Sequence, residues 1–206
     1  MKQSTLFYEG YRLILADPPW SYGNGGNGAA RNHYPTMTPA QIAALPIAQL
    51  AAPDCILIMW ATWPQLYPVA GDVIKAWGFT YVTGFPWIKL LDPAVVDVDG
   101  NLLARPAYGT GVWARGCSEP VLIAKRGKAM PEERGWLGLL SERLEHSRKP
   151  EDIYQYAESI APLDLPPARS SHLELFARRR RPHWDAFGHI EDSISLEQFT
   201  VGAAKP

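Results

Sequence analysis

The chain has 206 residues, 47% of them hydrophobic and 20% charged, with a formal net charge of -1. That composition supports one domain with a proper core and argues against a disordered chain. The near-zero charge excludes a histone-like binder that relies on electrostatics alone, while leaving room for a local basic groove.

The two cysteines, Cys55 and Cys117, lie far apart and form no metal-type spacing, so they read as reduced thiols and no metal is expected. The first ten residues, MKQSTLFYEG, lack an apolar signal core. No apolar stretch approaches the ~20 residues needed to span a bilayer. These features predict a cytoplasmic protein with no membrane partner. Nineteen prolines fix many loop corners, and eight tryptophans suit flat apolar or aromatic ligands.

Tyr11–Ala16 (YRLILA) reads as a short buried strand, and the polar, glycine-rich residues 21–37 as a loop. Thr38-Pro39 is a helix start, with threonine as N-cap and proline at the first helical position. AQIAAL continues that helix until Pro46 breaks it. Cys55–Trp60 (CILIMW) is an apolar run of strand length. Pro64–Trp77 carries a helical stripe of Leu66, Val69, Ala70, Val73, Ile74 and Trp77, closed by Gly78. Phe79–Leu90 reads as strand, with Pro86 marking an edge or a bulge. Residues 91–116 look like an insertion. Pro120–Lys125 (PVLIAK) is predicted as strand, Pro150–Ile160 as helix and His172–Ala177 (HLELFA) as strand, with a Pro-rich loop over 161–170. Residues 191–206 read as a weakly held tail.

Strands alternating with helices predict an α/β fold with a mainly parallel sheet and helices on both faces. Ligands of such sheets sit beyond the carboxyl ends of the strands. Asp17 and the Ala61-Thr62-Trp63 stretch both follow strands and should share one cleft. Gly23 to Gly28 (GNGGNG) matches GxGxxG, but six residues separate it from the strand and no helix follows. A dinucleotide cradle needs a tight strand-to-helix turn, so a surface loop or a lid over the site is the better reading.

The stretch Asp17-Pro18-Pro19-Trp20 ends the first strand. Residues before proline are held extended, and neither proline carries an N–H. The segment therefore offers only acceptors, the Asp17 carboxylate and backbone carbonyls, beside the Trp20 ring. Such a corner suits an aromatic ring bearing an NH2 group, such as adenine. Two acceptors on that amine would favour a pyramidal nitrogen and free its lone pair for attack on an electrophilic methyl. The sulfonium methyl of S-adenosylmethionine fits, its charge close to Asp17. On chemistry alone, a Pro-rich turn or a polyproline ligand motif stands equally open.

The sequence resembles the MT-A70-like adenine-N6 methyltransferases over roughly Tyr11 to Gly188. The likeness runs through ADPPW (16–20), Tyr34-Pro-Thr-Met37, LIMWAT (57–62), Trp87-Ile-Lys89 and Ser118-Glu119-Pro-Val-Leu. It continues through Ser147-Arg-Lys149-Pro150-Glu-Asp-Ile-Tyr154, Glu174-Leu-Phe-Ala-Arg178 and Trp184 to Gly188. The resemblance implies a single Rossmann-like class I methyltransferase domain over 1–190, in circularly permuted motif order, with S-adenosylmethionine as donor. It implies that Asp17, Pro18, Pro19 and Trp20 hold the target amine, with Asp17 also near the donor, and that Tyr34 borders the target adenosine. Lys149 would meet the donor's carboxylate, and Glu174 and Arg178 would lie around its ribose. A lysine at a helix start has the wrong sign for the helix dipole, which favours a carboxylate ligand over a purely local role. Glu174 in an apolar strand would be costly without partners such as ribose hydroxyls. Glu119 is as readily one half of a structural pair as a base contact. After Arg178 the His-Asn pair of the eukaryotic enzyme is replaced by Arg179, Arg180 and Arg181, and His189 stands where an Asn is expected. The compact chain is most similar in build to bacterial and phage members.

Arg178–Arg181 read either as a solvated strand end or as phosphate contacts, with Arg115, Arg126 and Lys128 as further candidates. The insertion at 91–116 suits target recognition or subunit contact. A duplex target would need its adenine flipped out, and Trp20, Trp60 or Tyr34 could stack on it. The expected substrate is DNA, by family analogy and because RNA-specific appendages are not seen, with RNA as the alternative. A non-catalytic nucleic-acid-binding subunit is the other class, against which the intact DPPW argues. A homodimer, or a heterodimer with a related chain, is compatible with these features.

Overall fold

The computed structural model describes residues 10–21, 36–109, 111–136, 138–145, 148–164 and 170–188. Tyr34, the Gly23–Gly28 motif, His189 and the 191–206 tail lie outside the described residues.

Among the described residues, seven strands make one sheet. In chain order they are β1 (Tyr11–Ala16), β2 (Ala51–Trp60), β3 (Thr80–Leu90), β6 (Ser118–Arg126), β7 (Leu139–Glu142), β8 (His172–Ala177) and β9 (Trp184–Gly188). The spatial order is β7-β3-β6-β2-β1-β8-β9. Every neighbouring pair is parallel except those involving β6, which runs antiparallel to both β2 and β3. A separate hairpin, β4 (Val95–Val96) with β5 (Leu102–Leu103), rises from the predicted insertion.

Period-two alternation explains the two cores. From β1, Ile14 and Ala16 join Leu57 and Met59 of β2 on one face. That face is covered by α1 (Pro39–Ala43), α2 (Ile47–Leu50) and α4 (Gly71–Ala76), through Ile42, Ile47, Leu50, Val73 and Ile74. Leu13 and Leu15, with Ile56, Ile58 and Trp60, face the other way against Ile153, Ala157 and Ile160 of α5 (Asp152–Ile160). Helices thus cover both faces, as expected.

Helix α1 starts where the sequence says, with a full capping box between Thr38 and Gln41. Pro46 ends one helix but leads directly into α2, which the apolar pattern does not reveal. The predicted helix over 64–77 is corrected to two helices, α3 (Trp63–Gln65) and α4, separated by a kink within Leu66–Ala70. Tyr67 is extended there (φ -131°, ψ 131°), because Pro68 disfavours a helical residue before it. Strand β2 begins four residues earlier than predicted, at Ala51. Pro53 is tolerated because pairing to β6 starts only at Cys55. Pro86 lies opposite Pro120 of β6, and its other side is free of β7, whose pairing starts at Trp87. Strands β7 and β9 are not foreseen from the sequence.

Among the described residues no helix is long and apolar enough to cross a membrane.

Candidate active site

Alternation that builds the cores also aims the site. Asp17 follows Leu13 and Leu15 in parity, and so emerges on the α5 face just past the end of β1. Trp60 shares that face with Ile56 and Ile58, Glu119 with Val121, and Lys89 with Trp87. Glu174 alternates with Leu173 and Leu175, which lie in the opposite core, and so it too faces α5. Because β6 is antiparallel, its first residues lie at the carboxyl ends of its neighbours. Glu119 pairs with Trp87, and Val121 with Trp60. One polar or aromatic group from each of several strands therefore meets over one end of the sheet.

A cavity of about 350 Å³ opens there, bordered by Asp17, Trp60, Lys149, Tyr154, Glu174 and Arg178 among others. That volume lies within the usual range of small-molecule sites. At one side of it stands a line of four charges. The Lys149 ammonium is 3.0 Å from Asp17 Oδ2 and 3.3 Å from Glu119 Oε2, and lies 5.0 Å from the Trp60 ring centre. Glu119 is also paired with Lys89, which sits over the Trp87 ring. Burial works against the Lys149 charge, but Asp17 and Glu119 outweigh it and raise its pKa. Burial also pushes Glu119 upward, yet Lys149 and Lys89 together hold its carboxyl below the ordinary value. Asp17 is ion-paired with Lys149, which it shares with Glu119, and Arg178 adds a weaker pull. Burial pushes its carboxyl up, Lys149 opposes, and the Glu119 charge adds to the rise.

The other side is built differently. Glu174 Oε1 accepts a 2.9 Å hydrogen bond from the Tyr154 hydroxyl of α5. Burial pushes the Glu174 carboxyl up to about 7, against the pull of that hydroxyl, Arg181 and Arg179. Burial and the neighbouring carboxylate push the Tyr154 hydroxyl upward in turn. Arg179 and Arg181 both bond Glu151, at the N-terminus of α5, and the Arg181 guanidinium lies 3.6 Å from the Tyr154 ring centre. Phe176 borders the cavity with φ 64°, a left-handed conformation that is costly for a bulky residue, at a register shift between β8 and β9. Gly188 of β9 passes so close to β8 that a Cβ would lie 2.2 Å from the Ala177 carbonyl oxygen.

The DPPW corner is rigid in the manner its prolines dictate. The Pro18 carbonyl accepts the Trp20 N–H at 2.9 Å, and the Pro19 carbonyl accepts the Met37 N–H at 2.8 Å. Each retains a second lone pair. Trp20 departs from the open stacking plate expected of it. It is 5% exposed, belongs to the core under α1 and α4, and donates its indole N–H to the Trp60 carbonyl at 3.2 Å. An indole with an acceptor inside the core gains more by burial than by facing solvent.

The structure brings Asp17, Trp60, Glu119, Lys149, Glu174 and Arg178 together, and keeps Arg178 and Arg180 exposed. Two of the arginines expected at phosphate, Arg179 and Arg181, already have Glu151 as an anionic partner. The roles of Lys89, Tyr154 and Glu151 are not read from the sequence. A lysine in register with Trp87 on an otherwise apolar strand face is the signal for the first.

A largely parallel sheet covered on both faces, with a polar cleft over its carboxyl ends and its first strand beside its penultimate one, defines the Rossmann-like methyltransferase fold in permuted order. The MT-A70 family profile matches residues 11–190, and the chain belongs to that family. It is 30% identical to the type II methyltransferase M.MunI of a Mycoplasma species, over 86% of this chain and 76% of that protein. It is 27% identical to the human N(6)-adenine-specific methyltransferase METTL4, over 91% of this chain and 40% of the relative. It is also 27% identical to the N6-methyladenosine RNA methyltransferase MTA1 of Pyricularia oryzae, over 86% of this chain and 46% of the relative. The chain thus spans about three quarters of the first relative and less than half of the other two.

Proposed function

We propose that this chain is a cytoplasmic enzyme that transfers a methyl group from S-adenosylmethionine to the exocyclic N6 amine of adenine in DNA. The observation that carries the reading is the placement of Asp17. It stands at a rigid acceptor corner and at the cavity wall, between a group suited to an amine and groups suited to a zwitterionic nucleoside. The residues fit the donor: Lys149 offers a cation to a carboxylate, Glu174 offers acceptors to ribose hydroxyls, and Arg178 borders the same cavity.

S-adenosylmethionine supplies a methyl on a sulfonium, which leaves as a neutral thioether. Asp17 and the Pro18 carbonyl accept the two amine hydrogens and so release the nitrogen lone pair for an in-line attack. The nitrogen that gains a methyl must lose a proton, and Asp17, made more basic by burial, is the group placed to take it. Trp60 provides an aromatic wall at the cavity. Pro19 and Trp20 complete the described target side, with Trp20 acting through the core, and Tyr34 keeps the role beside the target adenosine that the family resemblance implies. Glu119 fixes Lys149 between itself and Asp17.

Duplex DNA would present its adenine flipped out, with phosphates meeting the exposed Arg178 and Arg180 beside the Glu151-bound Arg179 and Arg181. The insertion 91–116 exposes Val95, Val96, Leu102 and Leu103, which supports a role in target or subunit contact, including a homodimer or a heterodimer with a related chain. Similarity to a type II methyltransferase over three quarters of its length favours DNA. Similarity to RNA methyltransferases keeps RNA as the second reading.

The test is transfer of label from S-adenosylmethionine to unmethylated duplex DNA, single-stranded DNA and RNA of matched sequence, with Asp17→Ala as control. Label on DNA adenine that the control lacks is the expected result. Label on RNA alone overturns the substrate, and no label on any of them favours a binding subunit.

A further inference from the structure

We propose that Tyr154, gripped by Arg181, is a positioning residue that fixes the Glu174 carboxylate for the vicinal hydroxyls of the donor's ribose. The inference rests on the reading of Glu174 as the ribose contact and goes beyond it. It gives part of the arginine run an internal task.

Four residues form a continuous bracket from the edge of α5 to the cavity. Glu151 bonds Arg181. The Arg181 guanidinium lies flat enough on Tyr154 to sit 3.6 Å from its ring centre, while Trp184 meets the same ring edge-on at 5.7 Å. The Tyr154 hydroxyl then donates to Glu174 Oε1. A glutamate on its own samples several rotamers and loses that freedom on binding. One fixed donor on Oε1 selects a rotamer beforehand and leaves Oε2 and a further lone pair for two incoming hydroxyls. Among the described residues the buried Arg181 Nε has no hydrogen-bond partner, a cost that contact with the ring face must offset. Arg181 is thereby engaged inward on two sides, by Glu151 and by the ring, and only 22% of its side chain is exposed.

The bracket also sets how acid affects the site. The groups acting on Glu174 are Tyr154 from α5, Arg181 and Arg179 beyond β8, and Asp17 beyond β1. Tyr154 and the arginines favour the carboxylate, and Asp17 disfavours it. Two hydroxyl donors bind the ionised form better, so nucleoside affinity should fall as Glu174 gains its proton. Removing the Tyr154 hydroxyl moves that fall to higher pH.

Calorimetric titration separates this from a packing role. The probes are S-adenosylhomocysteine and its analogue lacking both ribose hydroxyls, with Tyr154→Phe, Arg181→Gln and Glu174→Gln against the parent chain, from pH ~6 to ~9. Tyr154→Phe is expected to weaken S-adenosylhomocysteine by about three- to tenfold, as one hydrogen bond would. It should leave the analogue's affinity unchanged and shift the acid limb upward, with Arg181→Gln following in the same direction. Equal weakening of both probes, or none, overturns the bracket. If Glu174→Gln weakens S-adenosylhomocysteine and Tyr154→Phe does not, the bracket alone falls. If Glu174→Gln changes nothing, the ribose reading of Glu174 falls and the bracket with it.

Discussion

The two walls of the cavity hold carboxylates in opposite ways. On the Asp17 wall, two carboxylates face two ammonium groups: Asp17 and Glu119 share Lys149, and Lys89 adds a second cation to Glu119. On the Glu174 wall, the nearest donor is a neutral phenol, and the arginines behind it are bound to Glu151. Counting charges predicts the consequence. Glu119, with two cations, stays an anion, whereas Glu174 is pushed up to about 7. Asp17 is raised as well: burial outweighs the pull of Lys149 and Arg178, and the Glu119 charge adds to the rise. Burial acts upward on all three, and only at Glu119 do two ammonium groups outweigh it.

The largest expected effect comes from breaking the first wall. Asp17→Ala should abolish methyl transfer while leaving the circular dichroism and melting of the chain near the parent. Retained turnover would remove Asp17 from the chemistry. Lys149→Ala is expected next. It leaves two carboxylates facing each other in a half-closed cleft, and should weaken S-adenosylmethionine at least tenfold by calorimetry while lowering stability by up to ~3 kcal/mol in denaturant titration. Unchanged donor affinity would take from Lys149 its assigned ligand.

Glu119→Gln sharpens the comparison rather than breaking it. The Glu119 charge raises the Asp17 carboxyl and competes for Lys149. Its removal should lower the Asp17 pKa, so the acid limb of the transfer rate moves to lower pH. A limb that stays in place would show that Asp17 does not govern it.

A control on burial itself lies outside the site. His172 donates its Nε2–H to the Ala161 carbonyl at 2.7 Å, and its Nδ1 lies 3.0 Å from Ser171 Oγ. Burial lowers its pKa to about 4, from 6.5. The unfolded chain therefore binds the proton more readily. The His172 contribution to stability should be flat above pH ~6.5 and decline by up to ~3 kcal/mol as pH falls toward ~4, while the raised Glu174 carboxyl acts in the opposite direction over much of the same range. His172→Gln should therefore raise the acid side of a melting-temperature profile relative to its neutral side, by comparison with the parent chain. The smallest effect is expected from Arg179→Ala with Arg180→Ala. It should lower DNA affinity modestly and reduce the salt slope by about one to two, since each phosphate contact contributes close to one.

Local chemistry is legible residue by residue where the determinants are near neighbours. The Thr38 cap, the apolar runs of β1 and β2, the amphipathic face of α5 and the extended Asp17 before Pro18 all follow from side chains a few positions apart. The acceptor corner and its chemistry follow equally, because prolines restrict their own segment. Partnership between distant residues does not follow in this way. Nothing around Glu119 announces that β6 runs antiparallel and so delivers it beside Lys149. The short LLSE and WDAFG segments become strands only because the edges of β3 and β8 are there to pair with them. Trp20 turns into the core, and Arg179 and Arg181 turn to Glu151, because burial and ion pairing compete among whatever groups the fold brings within a few ångströms. Sequence therefore determined which residues carry acceptors, cations and rings. Strand order and direction decided which of them meet, since an alternation of period two fixes a face but not the neighbour on it.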